Sequence, residues 1–326
     1  MKIAVFEKRP YEETIITQFA KHNNIEVVTT DEILDDKTIH LCEGADAITT
    51  LGFSKLTKKY IDKVKAKGVR FISTRTIGYN HYDVEYAKEQ GLKVSNVSYS
   101  PNGVADFTVM LMLISIRKYK PAMWRQNVND YTLNGLMGKE LRNMTVGVLG
   151  TGRIGATVIK NLSGFGCKII AYDTYKNESL KDVVEYVELE EIFKKSDIIT
   201  IHIPLTEANK NIINKQNIQL MKQGVIIVNT ARGELMNIPD LIEGIESEKI
   251  GALALDVFDK EEAIYHHNRS TDIIQNRDMA YLRQFPNVIL TQHMAFFTDS
   301  AVEEMISNSL NNLLDFYNTG TCRNEL

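Results

Sequence analysis

Cysteine, proline and tryptophan are scarce in this 326-residue chain, with 3, 6 and 1 copies. Cys42, Cys167 and Cys322 are odd in number, widely spaced and form no CxxC pair. That argues against a disulfide framework and for unpaired thiols in a reducing compartment. An excess of basic charge is also lacking. The net charge is -4 with pI near 6.0, and acids and bases are interspersed, which disfavours a nucleic-acid partner. No long apolar run occurs. The most apolar stretch, 107–116, is about half the ~20 residues a membrane span needs and is flanked by Asp106 and Arg117; it reads as a buried helix. The N-terminus, Met1-Lys2-Ile3-Ala4-Val5-Phe6-Glu7, turns charged too soon for a signal peptide. The expectation is a cytoplasmic protein with no membrane partner and no metal.

What is present is a regular alternation. Short β-branched runs at 2–7, 25–29, 45–50, 70–74 and 92–97 are interleaved with helical patterns at 12–22, 58–67 and 83–90. This order predicts βαβ units and a parallel sheet. Turn formers at Ser98-Tyr99-Ser100-Pro101-Asn102-Gly103 break the series, and a long apolar helix is expected over 104–126. A second series then places strands at 145–149, 168–172, 197–203, 225–229, 252–257 and 287–291, six in all and enough for a doubly wound sheet. A final helix spans 300–317. The fold class is therefore α/β, with two Rossmann-like or flavodoxin-like parallel-sheet domains and a cleft between them. The expected division is 1–98 plus 297–326 for a discontinuous substrate domain, and 99–296 for a dinucleotide domain.

The second series opens on Gly150-Thr151-Gly152-Arg153-Ile154-Gly155, between an apolar strand and a helix. Gly150 permits the tight turn, Gly152 lets the backbone approach a pyrophosphate, and Gly155 allows close helix–strand packing. The helix end beginning at Arg153 and Ile154 supplies free N–H groups to the phosphates. Asp173 follows the next strand, about twenty residues on, where a carboxylate accepts from the ribose 2′-OH and repels a 2′-phosphate. NAD is the expected cofactor.

Three later strand ends each deliver a reactive side chain: Arg232 after Asn229-Thr230-Ala231, Glu261 just beyond Asp256, and His293 after Thr291-Gln292. Arg offers a fork to a carboxylate, and a protonated His can donate to a carbonyl oxygen while hydride arrives. A Glu hydrogen-bonded to the imidazole stabilises its cation. Such a set reduces a 2-oxo acid. His202, with Pro204 two residues on, is read as lining the cofactor cleft; His22, His40, His81, His266 and His267 have no comparable context.

These segments, with Leu255-Asp256-Val257-Phe258 and Pro286-Asn287-Val288-Ile289, resemble the D-isomer-specific 2-hydroxyacid dehydrogenase family over nearly the whole chain. Within it the chain is most similar to D-lactate dehydrogenases, including the vancomycin-resistance type. That likeness lies in Ser73-Thr74-Arg75-Thr76-Ile77-Gly78-Tyr79-Asn80-His81, Tyr99-Ser100-Pro101, the insert after Glu262, and Ala295-Phe296-Phe297-Thr298. The resemblance implies Arg232 for carboxylate binding and Glu261 with His293 as the acid–base pair. It adds the Ile77 and Gly78 N–H groups as carboxylate donors, Tyr99 and Phe297 as pocket walls, Thr230 and Ala231 beside the cofactor, and Asp256 near the nicotinamide carboxamide. It also implies a homodimer formed through the helix after residue 103. Gln292, Met294, Asp259 and Asn237 depart from the family's usual residues. The expected reaction is NADH-dependent reduction of pyruvate to D-lactate. Bulkier 2-oxo acids such as 2-oxoisocaproate or phenylpyruvate are the alternative substrates, and an NADH-sensing binding protein the alternative of another class.

Overall fold

The structure, a computed structural model, describes residues 1–261 and 264–326. It divides into two compact units, Met1–Ser100 with Phe297–Leu326, and Pro101–Phe296. Among the described residues no helix is long and apolar enough to cross a membrane.

In the first unit β1 (Lys2–Val5), α1 (Glu13–Asn23), β2 (Glu26–Thr29), β3 (Ala47–Thr50), α2 (Lys58–Ala66), β4 (Phe71–Thr74), α3 (Val84–Glu89) and β5 (Lys93–Ser95) follow in chain order. All five strands pair in parallel, in the order β2-β1-β3-β4-β5. Successive residues point to opposite faces of a strand, and both faces are covered here. Ala4, Ile48, Ile72 and Val94 face a core that includes Ile61 and Val64 of α2. Ile3, Val5, Ala47 and Phe71 face one that includes Ile306, Leu310, Leu313 and Phe316 of the C-terminal helix Asp299–Thr319. Burial on both sides explains why β1, β3 and β4 lack the apolar–polar alternation of a half-exposed strand.

The second unit contains α4 (Asn102–Ile116), α5 (Tyr119–Gln126), β6 (Thr145–Leu149), α6 (Arg153–Ser163), β7 (Lys168–Tyr172), β8 (Glu185–Tyr186) and α7 (Leu189–Lys195). It continues with β9 (Ile198–Ile201), α8 (Lys215–Leu220), β10 (Val225–Asn229), α9 (Ile238–Glu246), β11 (Ile250–Leu255), α10 (Arg277–Gln284) and β12 (Val288–Leu290). The sheet is parallel with order β12-β11-β10-β9-β6-β7-β8. Alternate residues again fill two cores: Leu149, Ile199, Ile227 and Leu253 on one face, and Val148, Ile198, Val228 and Ala254 on the other.

Two expectations are corrected. The sheet has seven strands, not six, because β8 is a two-residue strand with no apolar run to announce it. The helix expected over 104–126 is two helices. α4 stops at Ile116, and Lys118 adopts φ +51 before α5 begins. Pro121 supplies the reason. In a continuous helix its ring would clash with the Arg117 carbonyl four residues back, whereas in the first turn of a new helix it costs nothing.

Candidate active site

The turn after β6 is shaped by what a side chain would strike. Gly150 has φ +96, and a Cβ there would lie 2.8 Å from the His202 carbonyl group. At Gly155 a Cβ would come within 1.9 Å of the Gly150 carbonyl oxygen, so helix α6 packs against its own approach loop. A Cβ on Gly152 would meet nothing within 4 Å, which leaves that face open to a ligand. Gly152 is the N-cap of α6 and no side chain caps the helix. Its first N–H groups and positive dipole end therefore remain available to phosphates. These features fit a bound dinucleotide.

Asp173, just past β7, accepts from the Thr151 backbone N–H at 2.5 Å and the Thr151 hydroxyl at 3.1 Å through Oδ2, and from the Tyr175 N–H at 3.0 Å through Oδ1. Tyr186 and Asn177, which sequence reasoning missed, brace the same turn: the Tyr186 hydroxyl donates to Thr151 Oγ1 at 3.0 Å, and Asn177 Nδ2 to the Thr151 carbonyl at 3.3 Å. His202 follows β9, its backbone N–H donating to Leu149 at 2.7 Å, with Nε2 2.9 Å from Thr200 Oγ1. Burial pushes this imidazole down to about 3, so it is neutral. Pro204 accepts from Asn209 Nδ2 at 2.7 Å.

Arg232 leaves the end of β10 on a turn organised by Asn229. That buried amide accepts from the Ala231 N–H at 2.9 Å and donates to the Arg232 carbonyl at 2.8 Å. The neighbouring Thr230 hydroxyl meets Thr108 at 3.0 Å. The Arg232 guanidinium donates to the Ala231 carbonyl at 2.6 Å and has no carboxylate partner among the described residues. Gly233 is required because the Phe258–Asp259 backbone passes where its Cβ would be, at 2.2–2.4 Å. The Arg232 turn is thereby pressed against the loop that carries Glu261.

Glu261 and His293 are brought together. The Glu261 Oε1 atom accepts from His293 Nδ1, and its Oε2 from the Phe258 N–H at 2.6 Å. A carboxylate only accepts, so Nδ1 carries the hydrogen and Nε2 is left as the nitrogen for chemistry. His293 sits at φ +52, a conformation unusual for a residue with a side chain. Its backbone N–H is fixed to the Asp256 carbonyl at 2.7 Å. The fully buried Asp256 carboxylate holds the rest of the loop, accepting from Thr291 Oγ1 at 2.6 Å, Met294 N at 3.0 Å and Ala295 N at 2.8 Å. His266, without context in the sequence, lies with Nε2 3.1 Å from the His293 carbonyl. No periodic pattern announces it; only the fold of its loop does.

The four remaining expected residues lie in the first unit, at and beyond its strand ends. Ile77 and Gly78 occupy the turn after β4, where Thr76 Oγ1 donates to the Gly78 carbonyl at 2.7 Å and Asn96 Nδ2 to that of Ile77 at 2.8 Å. Tyr99 is buried. Phe297 is 48% exposed and meets Tyr11 edge-on at 5.2 Å, while the Arg9 guanidinium lies 5.8 Å from the Phe53 ring.

Residues 109–295 match the family model described as D-isomer specific 2-hydroxyacid dehydrogenase, NAD binding domain. An aromatic 2-oxoacid reductase from Clostridium sporogenes is 42% identical, covering 100% of this chain and 99% of its own. A D-lactate dehydrogenase from Staphylococcus aureus is 35% identical over the same shares. The solved structure of a D-2-hydroxyisocaproate dehydrogenase superposes with a TM-score of 0.91 at 33% identity, covering 100% of this chain and 99% of that one.

Proposed function

Since the chain belongs to the D-isomer specific 2-hydroxyacid dehydrogenases and is an NAD-dependent enzyme, we propose that it reduces bulky, preferentially aromatic, 2-oxo acids to D-2-hydroxy acids. One observation carries the substrate class: Tyr11 and Phe297 of the first unit meet edge-to-face with ring centroids 5.2 Å apart, and both are nearly half exposed. Exposed aromatic faces of this kind suit an aryl side chain and leave a methyl group poorly packed. The 42% identical aromatic 2-oxoacid reductase supports the same reading. Pyruvate, expected from the sequence, becomes the second reading, favoured by the D-lactate dehydrogenase at 35% identity.

The chemistry assigns one task to each group. Arg232, with no acid partner among the described residues, forks onto the substrate carboxylate, a charge-assisted pair worth about 1.5–3 kcal/mol. The Ile77 and Gly78 N–H groups are further carboxylate donors, and Tyr99 and Phe297 flank the side chain. When bound, NADH supplies the hydride. His293 gives the Nε2 proton to the carbonyl oxygen, and Glu261 keeps the imidazole oriented and its positive charge compensated. The cofactor is held by Gly150, Gly152, Arg153, Ile154 and Gly155 at its phosphates and Asp173 at its ribose, with His202, Pro204, Thr230, Ala231 and Asp256 along its length. Residues 1–98 with 297–326 form the substrate domain in this reading, and 99–296 the NAD domain.

A homodimer is part of the proposal. Tyr119, Trp124, Val128, Tyr131, Leu133 and Met137, on α5 and the stretch after it, are 48–87% exposed, and exposed apolar groups close together in the chain suit an association surface. A cytoplasmic setting suits the three cysteines, which are unpaired. Burial raises all three thiols, Cys42 to about 12 and Cys322 to about 11. Steady-state NADH oxidation with phenylpyruvate, 2-oxoisocaproate, 2-oxobutyrate and pyruvate, with chiral analysis of the product, tests the function. The highest kcat/KM is expected for phenylpyruvate, with a D product. A preference for pyruvate would overturn the substrate class, and no turnover with any of them would overturn the activity.

A further inference from the structure

Two charged side chains in the first unit are buried where the reaction makes no direct use of them. Glu7, just beyond β1, is 1% exposed and sits at φ +56. A non-glycine residue in that conformation persists only where its surroundings over-determine it, and such positions cluster at functional sites. Here the surroundings are the loop after β3. The Glu7 carboxylate accepts the N–H groups of Leu51 at 2.9 Å, Phe53 at 2.8 Å and Ser54 at 3.3 Å, and the Ser54 hydroxyl at 2.6 Å.

Arg75, just beyond β4, is fully buried. Its Nη2 donates to the carbonyls of Phe6 at 2.9 Å and Glu7 at 3.1 Å, and its Nε to Glu12 Oε1 at 2.9 Å. Its backbone N–H reaches Thr50 at 2.9 Å. The ends of β1, β3 and β4 are thus clamped together by one carboxylate and one guanidinium. The next residue, Thr76, holds the turn of Ile77 and Gly78 through the Gly78 carbonyl.

The buried ion pair of Arg75 with Glu12 is poor evidence of added stability, because desolvation offsets its attraction; fixing one geometry is the use better suited to it. We propose that Glu7 and Arg75 are positioning residues that preset the 51–54 loop and the 76–78 turn for the substrate's carboxylate. This rests on the reading of Ile77 and Gly78 as its donors. Glu7 binds the 51–54 loop directly, while Arg75 is itself anchored to the residues after β1 and leads straight into the 76–78 turn. The loops therefore meet the substrate already ordered, which spares the entropy of ordering them on binding.

The test compares full-length Glu7→Gln, Arg75→Lys and the milder Ser54→Ala, measuring kcat, KM for phenylpyruvate and the Kd for NADH. Glutamine keeps the shape but turns an N–H donor toward backbone N–H groups, so KM is expected to rise at least tenfold. The kcat should stay within about threefold and the Kd for NADH should not change. Ser54→Ala, which removes one donor from Glu7, should raise KM about two- to fivefold, and it decides the matter if the charged variants do not fold. Thermal destabilisation with KM unchanged would overturn the proposal. Ile77→Pro, which deletes one proposed N–H donor, separates the two readings. Unchanged KM there refutes the carboxylate assignment; raised KM there, with no effect of the clamp variants, refutes only the positioning.

Discussion

Replacing Asp256 by asparagine tests how the His293 loop is held. The carboxylate is buried and accepts three hydrogen bonds, two at Oδ1 from Thr291 Oγ1 and Met294 N and one at Oδ2 from Ala295 N. An asparagine carbonyl can keep the first two donors, but its NH2 group then faces the Ala295 N–H across 2.8 Å. Losing one charge-assisted bond and orphaning one buried N–H costs about 2–4 kcal/mol. For a unit of this size that lowers Tm by on the order of 5–10 °C. The loop relaxes by moving, and displacing a proton donor by about 1 Å costs up to ~100-fold in rate. Differential scanning fluorimetry with steady-state kinetics should therefore show a lower Tm and a kcat reduced about 10–100-fold, with a smaller weakening of NADH binding because Asp256 is one of several residues along the cofactor. An unchanged Tm combined with lost NADH affinity would refute the reasoning, and would put the carboxylate's work at the nicotinamide instead.

Three further outcomes follow from the cofactor turn. For Asp173→Ala, fluorescence titration should show weaker NADH binding and a ratio of affinities shifted toward NADPH, because a carboxylate that repels a 2′-phosphate is gone; an unchanged ratio would refute the ribose assignment. Gly155→Ala places a methyl group 1.9 Å from the Gly150 carbonyl oxygen, so the turn must open, with about 1–3 kcal/mol lost in stability and NADH binding weakened by at least tenfold in the same titration. The third concerns pH. His202, pushed from 6.5 to about 3 in the folded protein, takes up a proton more readily when unfolded. Its contribution to stability is complete above pH 6.5 and is lost as pH falls toward 3, by no more than about 1.4 kcal/mol per pH unit. Urea unfolding at pH 7 and pH 5 should show this loss shrinking in His202→Asn, and an equal loss in both proteins would contradict it.

How much of this was legible in the sequence depended on whether a residue's role is local. The glycine turn and Asp173 stood out because strand, turn and helix follow one another within a few residues. Arg232 and His293 stood out because an apolar run ends just before each. The break between α4 and α5 was written in Pro121, yet the apolar character of 104–116 masked it. β8 carries no pattern at all, since Glu185 and Tyr186 become a strand only by pairing with β7. Glu7 looks like an ordinary surface charge in the sequence, Arg75 enters only within a segment that carries the resemblance, and Asp256 only as a residue beside the cofactor; the clamping by all three was not legible. Their burial comes with partners 35–69 positions away, which no local periodicity encodes. His266 belongs with them, since only the return of the loop after Glu261 brings it to the His293 carbonyl.

The central claim is that Arg232, Glu261 and His293 carry the reaction while the glycine turn independently carries the cofactor. His293→Ala tests it most directly, by steady-state turnover of phenylpyruvate beside fluorescence titration of NADH. Turnover should fall by about 10²–10⁴-fold, the usual worth of a positioned proton donor, with the Kd for NADH within about twofold of the parent. Activity retained within tenfold, or NADH binding lost along with it, would contradict the account.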